Sequence, residues 1–303
     1  MVDSVPSLSS QDTDVVDFPI SLPYYAPDIP APLPTVEEIE NLPNPIKTHK
    51  SLVAFRVTPH FVVKFGAGVD LIEGENMLFV RQATNIPVPK LYALYSDPQT
   101  GKNYIVMEHI AGETLESLWP SLTEQDKDMV IAKLRQYFDE LRQLPSPGYF
   151  GRLGGRPLRS YFLGDLPISG PLETEDALNV VILHNFTQKC DSQYRVKFYR
   201  QSLPHIFRDH KPVFTHGDLQ QKNILVRKAA RNPDPAEVSD GGDELEVYLV
   251  NWELSGWYPD YWEYCVIFCL TTLNTDWLLR IGKALEPYYC EASWLERMLL
   301  EYY

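Results

Sequence analysis

The sequence predicts an α+β protein with two lobes, a small mixed β-sheet lobe followed by a larger, mainly helical lobe. Short runs rich in Val and Phe, separated by turn residues, occupy 51–111, and helical periodicity dominates over 112–303. The chain has 303 residues, of which 44% are hydrophobic. That is enough for one large core or for two lobes that share a cleft.

The small lobe is predicted from five short segments in 51–111. LVAFRV and HFVVKFG indicate two strands joined by a turn at Thr58-Pro59. IEGENMLFVRQAT indicates a helix that ends before Pro87, since the residue before a proline disfavours helix. KLYALYSD and NYIVMEHI indicate two more strands around the turn DPQTGK. The order is strand, strand, helix, strand, strand.

The large lobe begins after Gly112 and contains one clear amphipathic helix, TEQDKDMVIAKLRQYFDELRQL. We expect a capping box between Ser121 and Glu124 at its start and a stop at Pro145. A looser Gly- and Pro-rich stretch follows, and then helical material from Glu173 to Gln201. The polar segment 229–244 reads as an enlarged loop between two strands. The helical tail is short for a complete helical lobe.

Residues 1–50 are rich in proline and have little periodicity, so we expect an extended or partly disordered N-terminal extension without a catalytic role. The acidic start does not resemble a secretory signal, and no apolar run reaches eighteen residues. We therefore expect a cytoplasmic protein.

The composition disfavours several kinds of partner. The chain carries 27 basic and 41 acidic side chains, a formal net charge of −14, which repels nucleic acid and anionic membranes. The acidity serves solubility or, alternatively, a pocket that attracts magnesium or a basic substrate. The four cysteines, Cys190, Cys265, Cys269 and Cys290, are scattered, and we expect them to be reduced.

The strongest motif is VFTHGDLQQKNILV, in which His216-Gly217-Asp218 follows an apolar strand and Asn223 opens the next one. It resembles the catalytic loop of the kinase-like superfamily, and more closely its small-molecule branch, which has H-G-D where protein kinases have H-R-D. The resemblance implies that Asp218 is the catalytic base or hydroxyl-orienting residue, Asn223 a magnesium ligand and His216 a structural residue, with Lys222 adding positive charge. Alternatively, Asp218 and Asn223 are turn formers.

Lys64 lies in the apolar strand HFVVKFG, where an unpaired buried ammonium would be costly. In kinase-like folds the corresponding lysine binds nucleotide phosphates and pairs with a glutamate of the following helix. That resemblance makes Glu75 the first candidate for the partner and Glu73 the second. The alternative is an edge-strand lysine that points into water.

The segment YIVMEHIAGETL resembles the strand and hinge that line an adenine pocket. By that resemblance Met107 is the gatekeeper, and Glu108 to Ile110 offer backbone hydrogen bonds to the nucleotide. By itself, this pattern also fits an ordinary buried strand that leads to a turn at Gly112. The span between the first two strands contains no glycine-rich phosphate loop.

The segment YLVNWELSGWYPDYWEY departs from the family pattern at one position. It resembles fungal relatives of aminoglycoside phosphotransferases, in which an aspartate that holds magnesium precedes Trp-Glu. Here that metal position is Asn251, and a neutral amide is a poorer ligand for Mg²⁺. In an extended strand Glu253 would point to the same side and could supply the missing carboxylate. The aromatic residues around Trp257 are expected to form core packing.

Together, the four motifs from about Ser51 to about Tyr264 resemble the aminoglycoside phosphotransferase (APH)-like family of the protein-kinase-like superfamily, fungal type. The resemblance implies a two-lobed protein-kinase-like fold, ATP and Mg²⁺ as cofactors, and transfer of a phosphoryl group to a hydroxyl of a small molecule. The alternative is a nucleotide-binding pseudokinase or scaffold module whose site has decayed at Asn251. A protein kinase is disfavoured by the H-G-D loop and by the lack of an A-P-E segment.

Overall fold

The computed structural model of the protein describes residues 18–41, 47–49, 52–160, 169–188, 190–228, 245–271 and 275–300. The insertion that we predicted at 229–244 therefore lies outside the described residues, as do residues 1–17 of the N-terminal extension. None of the helices in the described part of the chain has both the length and the apolar character needed to cross a bilayer.

The small lobe is built on a six-stranded sheet whose described ladders are all antiparallel. Its strands are β1 (Tyr24–Tyr25), β2 (Lys47–His49), β3 (Leu52–Arg56), β4 (Phe61–Gly66), β5 (Leu91–Ser96) and β6 (Asn103–Glu108). They lie in the order β1-β5-β6-β4-β3-β2. Helix α2 (Ile72–Ala83) follows β4, so the predicted order of strand, strand, helix, strand, strand is present.

Part of the N-terminal extension belongs to this sheet. Strand β1 pairs with β5, and helix α1 (Val36–Glu40) buries Ile39 completely in the core cluster on one face of the sheet. The Glu40 carboxylate accepts hydrogen bonds from Lys102 at 2.7 Å and from the Tyr104 hydroxyl at 2.8 Å. Among residues 18–41 the predicted extension has regular structure only at β1 and α1, and Ala26 and Ile39 pack against the sheet.

The large lobe contains seven helices and five short strands among the described residues. They are β7 (Glu113–Thr114), α3 (Leu115–Leu118), α4 (Glu124–Gln143), α5 (Glu175–Thr187), α6 (Gln193–Ile206), β8 (Pro212–Thr215), β9 (Ile224–Lys228), β10 (Leu245–Leu249), β11 (Gly256–Pro259), α7 (Trp262–Leu270), α8 (Trp277–Ala284) and α9 (Tyr289–Leu300). The aromatic residues from Trp252 to Tyr264 are buried, as predicted for core packing.

Helix α4 is capped two residues later than predicted. The Thr123 hydroxyl accepts from the Asp126 N–H, and the Asp126 carboxylate accepts from the Thr123 N–H. The proposed pair of Ser121 and Glu124 does not form, because Ser121 belongs to a preceding 3₁₀ turn and donates its hydroxyl to the Leu118 carbonyl. The apolar face of α4 is buried as expected.

Candidate active site

The loop between β8 and β9 carries His216, Gly217 and Asp218 and makes a sharp turn at the glycine. Gly217 has φ +82°, in the region that favours glycine. A Cβ at this position would lie 2.6 Å from the carbonyl oxygen of Leu254. The glycine in the H-G-D motif is therefore required by backbone conformation and by the close approach of residues 252–254, which form a 3₁₀ turn.

His216 is completely buried and connects the loop to the neighbouring segment at Val250. Its Nε2 lies 3.1 Å from the Val250 carbonyl oxygen, and its Nδ1 lies 3.2 Å from the Asp218 N–H nitrogen. Burial lowers the pKa of His216 to about 4. The ring is therefore neutral at pH 7, with Nε2 donating to Val250 and Nδ1 accepting from Asp218. This geometry suits the structural role that we predicted for His216.

Glu263 in α7 holds the same loop from the other side. Its carboxylate accepts hydrogen bonds from the Gly217 N–H at 3.0 Å and from the Leu219 N–H at 3.2 Å. Burial raises the pKa of Glu263 to about 7, although these hydrogen bonds act in the opposite direction. From the sequence we assigned no catalytic role to this residue. The available signal was a single carboxylate in the otherwise apolar helix WEYCVIFCL.

Asp218 is completely buried, and side-chain amides surround its carboxylate. Asn223 Nδ2 donates to Asp218 Oδ2 at 2.8 Å, and Asn251 Nδ2 approaches the same oxygen at 3.3 Å. Gln220 Nε2 donates to Oδ1. The structure thus brings together Asp218, Asn223 and Asn251, and it adds Gln220, which we did not predict from the sequence.

The Lys64 ammonium reaches this cluster from β4. Its Nζ lies 2.5 Å from Glu73 Oε1 and 2.7 Å from Asn251 Oδ1. Our first candidate for the partner, Glu75, is therefore wrong, and the second, Glu73, is correct. Residues i and i+2 of a helix lie roughly 200° apart around its axis, so only one of the two carboxylates can face β4. Glu75 instead accepts two hydrogen bonds from Arg156, at 2.8 and 2.9 Å.

Asn251 joins the lysine to the candidate base. Its backbone is left-handed, with φ 74°, a conformation that Asn tolerates better than most residues. Its Oδ1 accepts from Lys64, and its Nδ2 donates to Asp218. Glu253 lies in the 3₁₀ turn 252–254 and not in an extended strand, so the proposed alternation that would align it with Asn251 does not apply.

A cleft of about 300 Å³ lies between the two lobes above this cluster. It brings together six predicted site residues, Lys64, Met107, Glu108, Ile110, Asn223 and Asn251, together with Lys222. Glu73 also lines the cleft, whereas Glu75 and Asp218 are not among its lining residues. Apolar groups of Val62, Leu225 and Val250 complete the walls.

The hinge, residues 108–110, has fewer backbone N–H groups available to a ligand than we expected. The Glu108 N–H donates to the Lys90 carbonyl at 2.8 Å, and the His109 N–H donates to the His60 carbonyl at 2.9 Å. Both amides are therefore used within the protein. Of the three hinge amides, only that of Ile110 has no hydrogen-bond acceptor within the described part of the chain, which makes it the group best placed for a ligand.

The donor set at the base of the cleft fits a magnesium ion that arrives with phosphates. Among the described residues, no cluster of three or more His, Cys, Asp or Glu side chains could hold a metal by itself. Asn223 and Asn251 each bring an amide oxygen to the cleft, the Glu73 carboxylate there is paired with Lys64, and the Asp218 carboxylate lies beneath the two asparagines. Mg²⁺ is commonly bound by one or two carboxylates together with substrate phosphates. One carboxylate and two amides make a weak version of such a site.

Solved structures similar to this chain include aminoglycoside phosphotransferases. The GDP and kanamycin complex of APH(2")-IIia superposes with a TM-score of 0.57 at 14% identity, over 88% of this chain and 87% of that chain. The streptomycin-ATP-APH(2")-IIa ternary complex gives 0.51 at 15%, over 86% and 82%. A ternary complex of an APH(4)-Ia mutant with AMP-PNP and hygromycin B gives 0.52 at 14%, over 84% and 77%. These likenesses confirm the two-lobed protein-kinase-like fold.

Curated relatives match a shorter segment. Subtelomeric hrmA-associated cluster proteins from two strains of Aspergillus fumigatus are 40% identical over 62 residues, which is 20% of this chain and 12% of each relative. The match thus spans about an eighth of those relatives' length. The family described as Phosphotransferase enzyme family (APH) matches residues 51–235. That span covers more than half of the sequence and contains Lys64, Asp218 and Asn223, and the chain belongs to this phosphotransferase family.

Proposed function

We propose that this protein binds ATP in the cleft between its lobes and transfers the γ-phosphoryl group to a hydroxyl of a small molecule. The observation that carries the proposal is the hydrogen-bonded chain from Lys64 through Asn251 to Asp218, which lies under the cleft. An ammonium, a carboxylate and amide oxygens beneath one cavity are the groups that phosphoryl transfer requires. Solved relatives of the same fold contain ATP, GDP or AMP-PNP.

Each residue of the cluster has a distinct part in this proposal. Lys64 neutralises phosphate oxygens, and Glu73 fixes the position of its ammonium. Asp218 orients the acceptor hydroxyl and accepts its proton as the new P–O bond forms, while the bond from the γ-phosphorus to the bridging oxygen breaks and ADP leaves. Asn223 keeps the Asp218 carboxylate in place through Nδ2. Catalysis then depends mainly on positioning and on electrostatic stabilisation.

In the proposal, Asn223 and Asn251 would hold Mg²⁺ together with the nucleotide phosphates. When bound, the ion neutralises negative charge on the transferring phosphoryl group. Asn251 contributes less to this site than an aspartate would, because Mg²⁺ prefers anionic oxygen. We therefore expect a lower rate of ATP turnover than in a protein with aspartate at this position.

The acceptor would be a small molecule with a free hydroxyl. Solved structures of this fold contain kanamycin, streptomycin or hygromycin B. The net charge of −14 favours a cationic acceptor such as an amino alcohol or amino sugar. The fold alone does not select among these compounds.

A second candidate function is nucleotide binding without transfer, and the contacts of Asn251 favour it. An aspartate at this position would place a second carboxylate against Asp218, a repulsion that a cation must relieve. The asparagine instead accepts from Lys64 and donates to Asp218, which satisfies both charged groups without a metal. Such a site suits a protein that binds nucleotide weakly or does not turn it over.

The test is a transfer assay with γ-labelled ATP, Mg²⁺ and a panel of hydroxyl compounds, run on wild type and Asp218→Asn. We expect labelled product from wild type and none from the variant, with nucleotide binding retained in both. Binding without transfer by wild type would favour the second candidate. Absence of both binding and transfer would contradict both.

A further inference from the structure

Helix α2 is held by both lobes through two carboxylates that lie two residues apart. Glu73 faces the small lobe and contacts Lys64 of β4 at 2.5 Å. Glu75 faces the large lobe, where Arg156 donates to both of its oxygens at 2.8 and 2.9 Å. The Glu75 residue is only 3% exposed. A buried carboxylate paired with a two-pronged arginine is a strong and directional link.

Arg156 belongs to residues 151–160, which we call the arginine loop, and this loop is part of the large lobe. The Gly151 N–H donates to the Trp257 carbonyl at 3.0 Å, and the Trp257 N–H donates to the Gly151 carbonyl at 2.8 Å. The Tyr258 hydroxyl donates to the Arg159 carbonyl at 2.6 Å. Since Trp257 and Tyr258 lie in β11, the arginine loop moves with the large lobe.

Three further contacts connect the large lobe to the start of α2, and the longest joins Arg159 Nη1 to Asp70 Oδ2 at 3.5 Å. Arg152 Nη1 lies 2.6 Å from Asp70 Oδ2, just before the helix. Asn76 Nδ2 donates to the Trp252 carbonyl at 2.8 Å, next to Asn251. The first turns of α2 are therefore tied to the same large-lobe segments that present Asn251 and support the loop of Asp218.

We propose that Arg156 is a positioning residue for the active site, an inference that rests on the function proposed above. By holding Glu75, it fixes the rotation and height of α2 and thereby places Glu73 and Lys64 opposite Asn251 and Asp218. The Arg156–Glu75 pair thus couples the relative position of the lobes to the phosphate-binding lysine. Without the pair, the small lobe carries Lys64 away from Asp218 more freely, and the site is less preorganised for nucleotide.

The experiment compares wild type with Arg156→Gln, Glu75→Gln and the double variant. The matched control is Arg159→Gln, which removes the same charge from the same loop without touching Glu75 and loses only a longer, half-exposed ion pair with Asp70 at 3.5 Å. Hydrogen exchange of the α2 amides reports on the link directly, and α4 amides serve as an internal reference. Binding of a fluorescent ATP analogue reports on the phosphate site. Neither readout requires turnover.

We expect Arg156→Gln to speed exchange in α2 by about tenfold and to weaken ATP binding by a similar factor. We expect no such change in α4 or in Arg159→Gln. Glu75→Gln is expected to act similarly, and the double variant should be no worse than either single change, because the two residues act as one pair. Arg156→Lys keeps the positive charge but cannot donate two parallel hydrogen bonds to Glu75, so its α2 exchange rate and ATP affinity should lie between those of wild type and Arg156→Gln.

Unchanged α2 exchange in Arg156→Gln, or effects that simply add in the double variant, would overturn this inference. If Arg156→Gln does not fold because the Glu75 charge is left buried alone, the comparison of Glu75→Gln with the double variant still decides the point. Should wild type bind no ATP, the proposed function fails, but the exchange data still test whether Arg156 positions α2.

Discussion

Asn251 is the single residue that most affects what this site can do. Its amide occupies a position where relatives of this family are expected to place a carboxylate, and it connects Lys64 to Asp218. The arrangement satisfies a buried ammonium and a buried carboxylate without a metal. Because an amide oxygen is a poorer ligand for Mg²⁺ than a carboxylate, the same residue also weakens magnesium binding at the site.

We predict that Asn251→Asp raises Mg²⁺-dependent ATP turnover by roughly a hundred- to a thousand-fold, since it restores one preorganised charged group. A steady-state assay of ADP release at varied Mg²⁺ measures this effect. The control is Asn251→Gly, which tolerates the left-handed backbone but adds no carboxylate. An unchanged rate in Asn251→Asp would refute the weak-ligand explanation.

The Glu263 carboxyl makes the free energy of unfolding depend on pH, and the sign of this dependence follows from its raised pKa. The folded-state pKa of about 7 exceeds the usual 4.5, so the folded protein binds more protons than the unfolded chain between these values. The free energy of unfolding contributed by this group therefore falls as pH rises from 4.5 to 7, by roughly 3 kcal/mol. The lowered pKa of His216 acts in the opposite direction, losing stability as pH falls from 6.5 to about 4.

The measurement is the free energy of unfolding in urea for wild type and Glu263→Gln at several pH values. Because glutamine does not ionise, the stability of wild type relative to the variant should be highest near pH 4.5 and fall toward pH 7. The contribution of His216 cancels in this difference. A difference that does not depend on pH would be inconsistent with a buried carboxyl of raised pKa.

The main charged and amide residues of the site were predictable, because their positions within short sequence motifs identify them. Lys64 in an apolar strand, and Asp218 five residues before Asn223, were identified from the sequence and meet in the structure. The choice between Glu73 and Glu75 was not predictable. It depends on the rotation of α2 about its axis, which contacts with the arginine loop help to set.

At the scale of elements, the H-G-D loop depends on a turn that only glycine satisfies. Gly217 and Gly101 both have positive φ, +82° and +66°, but only Gly217 lies against another backbone segment. A Cβ added at Gly101 would meet no described atom within 4 Å. Substitution of Gly101 therefore tests backbone strain alone, whereas substitution of Gly217 tests strain together with steric contact.

We predict that Gly217→Ala destabilises the protein by roughly 2–5 kcal/mol, through strain and through contact with the Leu254 carbonyl. Gly101→Ala should cost about 1 kcal/mol, from strain alone. Urea denaturation of both variants measures the difference. Equal losses would mean that the close approach at Leu254 does not constrain the loop.

The elements β1 and α1 were not predicted from the sequence, and the signal available for α1 was the capping box of Thr35 and Glu38. They contain two and five residues, too few for a periodic signal, and they lie within a proline-rich segment. Their position is set by the apolar sheet face that they cover, which is a tertiary contact and not a local propensity. The longer helices α2 and α4 were predicted because their periodicity extends over three or more turns.

We predict that Ile39→Ala in α1 lowers the free energy of unfolding by about 2–5 kcal/mol, because Ile39 is completely buried. The control is Val36→Ala on the same helix, where the side chain is exposed and the loss should stay within about 0.5 kcal/mol. Thermal or urea denaturation gives both values. A negligible loss at Ile39 would mean that α1 contributes little to the small lobe.

At the scale of the whole molecule, the protein is a two-lobed member of a phosphotransferase family, and its cleft is lined by Lys64 of the small lobe and by Asn223 and Asn251 of the large lobe. The two lobes meet through α2, which contacts β4 on one side and the arginine loop and the 252–254 turn on the other. The order of four motifs along the chain made this architecture predictable. The links between the lobes depend on contacts far apart in sequence, and the motifs do not encode them.

The most direct test of a nucleotide site between the lobes is ATP binding measured by thermal shift, with and without Mg²⁺, on wild type, Asn251→Asp and Lys64→Ala. We predict that ATP stabilises wild type, that Mg²⁺ adds more to this stabilisation in Asn251→Asp than in wild type, and that Lys64→Ala loses most of it. ATP stabilisation that is absent from wild type, or that is unaffected by Lys64→Ala, would contradict such a site.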